Sequence, residues 1–433
     1  MILVVYTTHY REGGPSFERA ARTLGDRLRR EDPERAVRVE RVESKRALRR
    51  VLADLAARGE TLEALHVVAH AGMYGPMFGS TDWPEQLSPR EWQTLEIPFA
   101  PGAEAYFHAC RSARWFAPFF ARTFGVPAHG YHWYTAFSAA PDRFVWPGLR
   151  GDDHPLYVFG CPGKKSHGLL ASARKYAGLT PAEPMRRFEP EGDAAVGYDG
   201  VAEAYDAVFD DIRVRHDEVR WIEARLDALP PRPDVLDLGC GNGALLAQLA
   251  PRVASGVGLD ASARMVERAR ARTTQLAHVS IAHVDGPSIP LPDASVDVAI
   301  SMLSFRYLDW DPIVRELGRV LRPSGRLLVV DMVEKPASLW QLPRATWDRG
   351  RVLARALGTP SYQRRLRALV RSPEWARVLA HNPMRALHEY DWYLHSRFPA
   401  GQMWTLNVGR RARVIAFDTG PFREARLDAL SYP

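Results

Sequence analysis

Cysteine is scarce in this chain, because the 433 residues contain only three, at positions 110, 161 and 240. An odd and widely spaced set of cysteines does not form a disulfide framework. No apolar run reaches the roughly 18 residues that cross a bilayer as a helix. The opening MILVVYTTHYREGG has neither the basic region nor the apolar length of a signal peptide. These absences exclude the disulfide-rich secreted class and predict a cytoplasmic protein without a membrane span.

Lysine is also rare, since it accounts for five of the 58 basic residues. The preference for arginine is, taken alone, typical of a codon bias. The net charge of +7 is concentrated, however, because residues 344–385 hold ten arginines against two acids, Asp348 and Glu374. A basic segment of this kind can recruit nucleic acid, an anionic membrane surface or an acidic substrate. No recognised RNA-binding pattern interleaves aromatics with these arginines, so nucleic acid is the least favoured partner.

The length and the hydrophobic pattern predict more than one domain. Residues 1–177 alternate apolar runs with helical periodicity, which is typical of an α/β domain around a largely parallel sheet. Residues 178–195 are rich in proline, glycine and charge and are predicted to be a linker. Residues 196–433 repeat the alternation and predict a doubly wound α/β domain. Helical sequence at 336–400, called the lid below, interrupts this second domain before a terminal hairpin.

Polar residues follow three predicted strands of the second domain. The loop DLGCGNG, Asp237 to Gly243, has glycines that let the backbone approach a ligand at the start of a helix. Asp260 ends the next strand, 17 residues after Gly243, where a carboxylate can accept hydrogen bonds from both hydroxyls of a ribose. Asp285 ends the third strand and is suited to the exocyclic amine of adenine. A glycine loop alone is weak evidence, but the three positions together predict a site for an adenosine-containing cofactor.

The segments VLDLGCGNG, GLD, HVDG, LPDASVDVAISMLSFRYL and ELGRVLRPSGRLLVVD resemble, in order and spacing, the motifs of class I S-adenosylmethionine-dependent methyltransferases. The most similar type is the small-molecule group that includes ubiquinone- and sterol-methylating enzymes. The resemblance implies a Rossmann-like fold, methyl transfer as the reaction and S-adenosyl-L-methionine as the cofactor. It also implies a set of cofactor-binding residues: Tyr205, Asp237, Gly239, Gly241, Asn242, Gly243, Asp260, Ala261, Met265, Asp285, Gly286, Ser301 and Met302.

The resemblance assigns roles within that set. Asp237 is expected to orient the methionine amino group, Asp260 to hold the ribose hydroxyls, and Tyr205 to close over the cofactor. Asp285 and Gly286 are expected to face the adenine, whereas Ser301 and Met302 lie near the sulfonium. The alternative for the two strand-end aspartates is a capping role at strand–helix turns.

The lid is placed where this family often carries the part that binds the methyl acceptor. Its residues Arg364, Arg365, Arg367 and Trp392 are predicted to contact a small or medium, anionic acceptor. The alternative is that the lid aromatics form the core of a helical subdomain. The sequence identifies no general base and no metal site in this domain, and it does not indicate an oligomeric state.

Two strand ends stand out in the first domain. LHVVAHAG places His70 after one buried strand, and AYFHACRSA places Cys110 after another, 40 residues later. Neighbouring strand ends bring such side chains to one rim of a sheet, where an imidazole can activate a thiol. The two segments resemble the landmarks of caspase-like cysteine peptidases, with two departures: Ala71 separates the histidine from the glycine, and His108 stands where an acid is frequent.

The sequence leaves three interpretations of the first domain open. In one, the caspase-like fold carries a working Cys–His pair and cleaves peptides. In another, the fold is degenerate and serves as an accessory module, for example one that binds a protein or peptide and presents it to the methyltransferase. In the third, the polar residues at the strand ends are coincidental or form a metal site: His66, His70, His108 and Cys110.

Overall fold

The computed structural model describes residues 1–149, 154–163, 169–191, 198–335, 337–357, 359–381, 384–409 and 411–427. The chain divides into two compact units, Met1–Asp193 and Ala194–Pro433, called unit 1 and unit 2. Among the described residues, no helix is both long and apolar enough to span a membrane.

Unit 1 is built on a six-stranded sheet in the order β12-β9-β8-β3-β1-β2. The strands of unit 1 are β1 Ile2–Tyr6, β2 Val37–Arg41, β3 Leu62–Val68, β4 Ala71–Gly72, β5 Gly75–Pro76, β6 Phe78–Gly79, β7 Pro84–Glu85, β8 Phe99–His108, β9 Ala128–Gly130, β10 Thr135–Ser138, β11 Tyr157–Gly160 and β12 Arg186–Phe188. Its helices are α1 Gly14–Glu31, α2 Lys45–Ala57, α3 Pro89–Gln93, α4 Phe116–Phe124 and α5 Leu169–Tyr176. The five strands from β2 to β9 are parallel, and β12 is antiparallel.

Helices cover both faces of this sheet, because the residues of β1 alternate between the two faces. On one face β1 contributes to a cluster with α1: Ile2, Val4, Tyr6, Phe17, Ala21 and Leu24. On the other face it contributes to a cluster with α2 and α4: Leu3, Val5, Leu48, Leu52, Leu55, Phe116 and Phe120. The strand order reverses between β1 and β3, which is where open α/β sheets bind ligands.

The segment predicted as a linker contains regular structure. Within 178–195, residues Arg186–Phe188 form β12, which pairs antiparallel with β9. Phe188 packs against the core of unit 1, and Arg187 forms a 2.7 Å ion pair with Glu104. These contacts join the segment to the sheet, so the division between the units falls after Asp193. A second departure from a single parallel sheet is that β10 and β11 form their own antiparallel pair.

Unit 2 is built on a seven-stranded sheet in the order β15-β14-β13-β16-β17-β19-β18, with β19 antiparallel to both of its neighbours. Its strands are β13 Asp234–Leu238, β14 Ser255–Asp260, β15 Val279–His283, β16 Val296–Met302, β17 Leu321–Glu334, β18 Gln402–Val408 and β19 Ala412–Asp418. Its helices before the lid are α6 Ala202–Val208, α7 His216–Leu226, α8 Ala244–Leu249, α9 Ala263–Thr273 and α10 Trp310–Val320. The order reverses between β13 and β16, which is the expected place for a ligand.

The lid forms four helices, α11 Leu342–Leu357, α12 Pro360–Arg371, α13 Pro373–His381 and α14 Leu387–Arg397. Apolar residues of α12 and α13 pack with α6 and its surroundings in one cluster: Val201, Val208, Phe209, Leu369 and Val378. On α14, Tyr390 and Tyr393 are buried, and their rings lie 5.2 and 4.5 Å from that of Trp310. These aromatic residues of α14 therefore pack against α10, outside the lid.

Candidate functional site

The glycine loop of unit 2 follows β13 at the point where the strand order reverses. Gly239 has φ +74°, and an added Cβ would lie 2.4 Å from Cβ of Ser304. This position therefore requires glycine for both its conformation and the close approach of the neighbouring chain. Gly241 also has a positive φ, +52°, but nothing lies within 4 Å of the position its Cβ would take. The loop thus leaves open space beside Gly241 that a ligand can fill.

Asp260 lies at the end of β14 and faces this loop. Its carboxylate accepts hydrogen bonds from the backbone N–H groups of Gly241, at 2.8 Å, and Ser262, at 2.9 Å. Burial raises the pKa of Asp260 above its ordinary value, although these two hydrogen bonds act in the opposite direction. After accepting these two hydrogen bonds, the carboxylate still has lone pairs that can accept more. It can therefore accept hydrogen bonds from the two hydroxyls of a ribose.

Asp237 is the buried acid of the site, with 2% of its surface exposed. Burial, and then the charge of Asp260, raise the pKa of Asp237 to about 7. Its carboxylate makes no side-chain hydrogen bond or ion pair to any of the residues that the structure describes. Since buried carboxylates are normally paired, this group is suited to a cationic ligand such as the ammonium group of a methionine.

Asn242 is buried, but its side chain faces α6. Its Nδ2 donates to Asp206, at 2.7 Å, and to the carbonyl of Phe209, at 3.2 Å. Arg268 also forms a 2.6 Å ion pair with Asp206. These contacts join the glycine loop and α9 to the helix that precedes the sheet. Asn242 therefore holds α6 in place, and its predicted contact with the cofactor stays a prediction.

Tyr205 on α6 is half-buried, and its ring lies 4.6 Å from that of Phe209 and 6.3 Å from that of Trp375 on α13. Burial raises the pKa of its hydroxyl, and the charges of Asp260 and Arg306 both act on that pKa. Tyr205 therefore packs beside the lid helix α13, and its predicted contact with the cofactor stays a prediction.

The other predicted cofactor residues lie at or just after the strand ends. Ser301 on β16 is buried and bonds to Ser304 at 2.7 Å between hydroxyl oxygens. Ser304 in turn donates to the carbonyl of Leu238 on β13. Met302 ends β16 and is half-buried, whereas Met265 on α9 is buried. Three positions lie at the outer rim: Ala261 and Asp285 are exposed, and Gly286 has φ +123°. Gly243, the last residue of the set, precedes α8 and has φ +73°.

A buried charged group beside these strand ends was not predicted. Arg306, in the turn after β16, forms a 2.7 Å ion pair with Asp331 on β17. Asp331 also accepts a 2.5 Å hydrogen bond from the hydroxyl of Tyr390 on α14. One feature of the sequence could have predicted this group, namely the acid within the apolar run LLVVDMV. An acid in such a run is expected to be buried, and a buried acid requires partners. The group connects the lid helix α14 to the end of the sheet.

The predicted acceptor residues of the lid lie in two places. Arg364, Arg365 and Arg367 are exposed on α12, and Arg365 donates to the carbonyl of Ala207 at 2.9 Å. Trp392 on α14 is half-buried, with its ring 6.3 Å from that of Trp310. The structure therefore does not bring the three arginines and the tryptophan together in one cluster.

In unit 1, His70 and Cys110 lie at equivalent positions, each two residues beyond a strand end, because Val68 of β3 is paired with His108 of β8. Within the described residues, the two side chains form hydrogen bonds with other residues and not with each other. Nε2 of His70 lies 3.1 Å from the carbonyl oxygen of Glu12. Sγ of Cys110 lies 3.2 Å from Oγ1 of Thr135 and accepts from the N–H of that residue. Burial lowers the pKa of His70.

A row of rings crosses the unit 1 sheet. His66, Tyr106 and His129 are paired in register on β3, β8 and β9, and their rings stack at 4.5 and 4.3 Å. Nδ1 of His66 lies 3.2 Å from Nε2 of His108. Burial lowers the pKa of His108 to about 3 and lowers that of His66 as well. The described part of the chain contains no group of three or more His, Cys, Asp or Glu residues arranged to hold a metal ion.

Comparison with known families places a match in unit 2. Residues 236–329 match the family model described as a methyltransferase domain. This range begins just before Asp237 and ends within β17, so it contains the glycine loop, Asp260 and the strand ends described above.

Three curated proteins are similar to part of the chain. A demethylmenaquinone methyltransferase of Beutenbergia cavernae is 36% identical over 149 residues, 33% of this chain and 60% of that protein. A 27-O-demethylrifamycin SV methyltransferase of Amycolatopsis mediterranei is 33% identical over 151 residues, 33% of this chain and 55% of that protein. A nocamycin O-methyltransferase of Saccharothrix syringae is 37% identical over 120 residues, 26% of this chain and 43% of that protein.

The chain thus matches less than two thirds of the length of each of these relatives. The matched family and the geometry agree on the same part of the molecule. The buried Asp237 fits a cationic group, Asp260 fits a ribose, and the space beside Gly241 can hold the ligand that joins them. Unit 2 therefore contains a class I methyltransferase domain that uses S-adenosyl-L-methionine as its methyl donor.

Proposed function

We propose that this protein methylates a small or medium, anionic acceptor, and that unit 1 serves this reaction as a degenerate or accessory caspase-like module. The observation that carries the proposal is the pair of acids, Asp237 and Asp260, on either side of the glycine loop at the reversal of strand order. One acid is buried without a hydrogen-bond partner among the described residues, and the other is fixed by two N–H groups. This arrangement supports binding of a cofactor that carries both a cation and a ribose.

S-adenosylmethionine, when bound, supplies a methyl group that passes to the acceptor as the bond from its carbon to sulfur breaks. In this proposal Asp237 orients the amino group, Asp260 holds the ribose hydroxyls, and the residues after β15 face the adenine. Tyr205 and Trp375 cover the site and exclude water. Positioning of this kind supplies much of the acceleration of an in-line displacement.

The acceptor is assigned from the lid and from the relatives. Two of the relatives are named as methyltransferases of demethylmenaquinone and of 27-O-demethylrifamycin SV, which supports a small-molecule acceptor. The arginines of α12 support an anionic acceptor. The ring of Trp392 is suited to contact an aromatic acceptor. Arg306 and Asp331 lie between β16, β17 and the lid, and they are suited to define the polar end of the acceptor site.

Unit 1 has a second candidate function, separate from methyl transfer. The paired ends of β3 and β8 support a caspase-like site at His70 and Cys110. The separate partners of the two side chains, Glu12 and Thr135, favour a module that binds a protein or peptide over a working peptidase. Such a module would present its ligand to unit 2 for methylation.

The test measures S-adenosylhomocysteine formed by the full chain from S-adenosylmethionine and matched pairs of aromatic acceptors, each as a carboxylate and as its neutral ester. We expect turnover to prefer the carboxylates and to be absent in Asp237→Asn. Changing Arg364, Arg365 and Arg367 together to Glu should lower kcat/KM for the carboxylate without changing cofactor affinity. No turnover with any acceptor, together with normal cofactor binding, would contradict the assigned acceptor class, whereas loss of cofactor binding in the arginine variant would indicate a structural role.

A further inference from the structure

The outer surface of the lid combines exposed apolar side chains with arginines. Five large hydrophobic side chains are exposed in the described part of unit 2, and all belong to the lid: Trp340, Leu342, Trp347, Val370 and Leu379. The two tryptophans have exposed fractions of 94% and 70%. A group of exposed apolar side chains in one segment is unusual for a monomeric protein and marks an interaction surface.

The charge of the same surface is almost entirely positive. Arg349, Arg364, Arg367 and Arg371 are exposed, and the structure gives them no ion pair with any residue that it describes. Of the two acids within residues 344–385, Asp348 is buried and accepts from the N–H of Val408. The other, Glu374, is paired with Arg377 at 3.5 Å.

Packing indicates which parts of the lid face outward. Trp347 lies on α11, and Trp340 precedes that helix by two residues. Arg364, Arg367 and Arg371 follow the spacing of one stripe along α12. The other side of α12 is occupied, since Leu369 packs in the cluster around α6, and Asp348 of α11 bonds to β18.

We propose that this outer surface of α11, α12 and α13, together with Trp340, docks on an anionic lipid bilayer. The arginines complement the negative headgroups. The tryptophans suit the interface between headgroups and acyl chains, and the aliphatic side chains leave water when they reach that depth. A nucleic acid would use the arginines, but Leu342, Val370 and Leu379 would gain nothing from its phosphates. Arg364 and Arg367 are also assigned to the acceptor above, so the docking proposal rests on Arg349, Arg371 and the exposed apolar side chains. It does not depend on which acceptor is methylated.

Binding of the full chain is measured by co-sedimentation with two kinds of vesicle, phosphatidylcholine alone and phosphatidylcholine mixed with phosphatidylglycerol. We expect binding to the mixed vesicles, weakened by added salt, and little binding to phosphatidylcholine alone. The variant Trp340→Ser/Trp347→Ser should bind at least about tenfold more weakly. The matched control is Trp146→Ser, which removes a tryptophan of unit 1 with 54% of its surface exposed and should bind like the wild type.

A second pair of variants tests the charge. Arg349→Gln/Arg371→Gln should weaken binding to the mixed vesicles by about tenfold or more, whereas the exposed pair Arg50→Gln/Arg220→Gln, outside the lid, should have little effect. In the wild type, brominated lipids should quench tryptophan fluorescence, which tests insertion without any substitution.

Three outcomes would overturn the proposal. One is equal binding to both kinds of vesicle, or to neither. Another is binding of a single-stranded RNA oligonucleotide through the lid arginines in place of the vesicles. The last is a dimer in solution that dissociates when the two lid tryptophans are replaced. Calorimetric titration with S-adenosylmethionine on the same samples keeps these outcomes separate from any failure of the methyltransferase assignment.

Discussion

The backbone N–H of Gly241 donates a 2.8 Å hydrogen bond to the carboxylate of Asp260. This bond joins the glycine loop after β13 to the end of β14, so the two parts of the proposed cofactor site depend on each other. In the proposed site, removing the carboxylate removes a ligand contact and also loosens the glycine loop.

Asp260→Ala should weaken binding of S-adenosylmethionine by roughly 2–4 kcal/mol, because it removes charge-assisted hydrogen bonds to two hydroxyls. Isothermal titration calorimetry measures the change. Asp227→Ala is the control, since this exposed acid pairs with Arg252 at 2.6 Å outside the site. Unchanged affinity in Asp260→Ala would mean that the ribose lies elsewhere.

Asp237 should make cofactor binding depend on pH. Because burial and Asp260 raise its pKa to about 7, the free protein holds a proton there below that pH, and a bound ammonium group would displace it. Affinity should therefore fall by about tenfold for each pH unit below about 7, with one proton released on binding. Calorimetry in buffers of different ionisation heat counts the proton, and Asp237→Asn should abolish both the release and the pH dependence.

The same acid should destabilise the cofactor-free protein at neutral pH. A raised pKa in the folded state means that stability is full below the unfolded pKa and is lost as pH rises through about 7. Asp237→Asn should then raise the free energy of unfolding of unit 2 above that pH by up to about 4 kcal/mol. A lower melting temperature in this variant would contradict the account of Asp237 as an unpaired buried acid.

His66 and His108 should make unit 1 sensitive to acid. Burial lowers the pKa of both, to about 3 for His108, so the folded state holds them neutral while the unfolded chain protonates them. Stability is then present above the ordinary histidine pKa and is lost as pH falls below it. Between about pH 7.5 and about pH 5 the loss should be roughly 2 kcal/mol for His108, and His66 should add to it in the same direction.

Thermal unfolding across that range measures the effect. His108→Gln should flatten the pH dependence, even if it lowers the melting temperature at every pH. His9→Gln is the control, because the His9 side chain is 59% exposed. A pH dependence that is the same in all three proteins would assign the acid sensitivity to other groups.

Cys110 should be alkylated by iodoacetamide faster than the other two cysteines. It is half-buried, whereas Cys161 and Cys240 are buried. Peptide mapping after timed alkylation follows all three thiols in one experiment. If His70 acts on the thiol, His70→Ala should slow the reaction at Cys110, and His9→Ala should not. A Cys110 that reacts at the same rate in both variants would support an accessory module without a Cys–His pair.

Much of unit 2 could be predicted from the sequence, because its site is built from consecutive strand ends. In a parallel sheet the strands β13 and β14 are adjacent both in sequence and in space. The loop at Gly239 and the acid at Asp260 therefore meet without help from distant parts of the chain. The lid and the terminal hairpin were likewise predicted, since helical periodicity and turn residues are local signals.

The parts that the sequence did not reveal depend on contacts between distant residues. The short strand Arg186–Phe188 has little periodicity of its own and forms because the edge of β9 is available to it. Asn242 belongs to a binding motif, but the packing of α6 directs its side chain to Asp206. The ion pair of Arg306 and Asp331, with Tyr390, brings together three elements that no local pattern connects.

The sequence by itself thus determined the methyltransferase domain and its cofactor, and it predicted the two acids Asp237 and Asp260 as cofactor ligands, because these follow from order and spacing along neighbouring strands. Only the tertiary structure decided what surrounds them. It gave Asp237 a buried position beside Asp260, gave His70 and Cys110 separate partners, and exposed Trp340, Trp347 and the arginines of α12. The physical reason is that burial, pairing and exposure are properties of the packed chain, where residues far apart in sequence compete for the same space and the same hydrogen bonds.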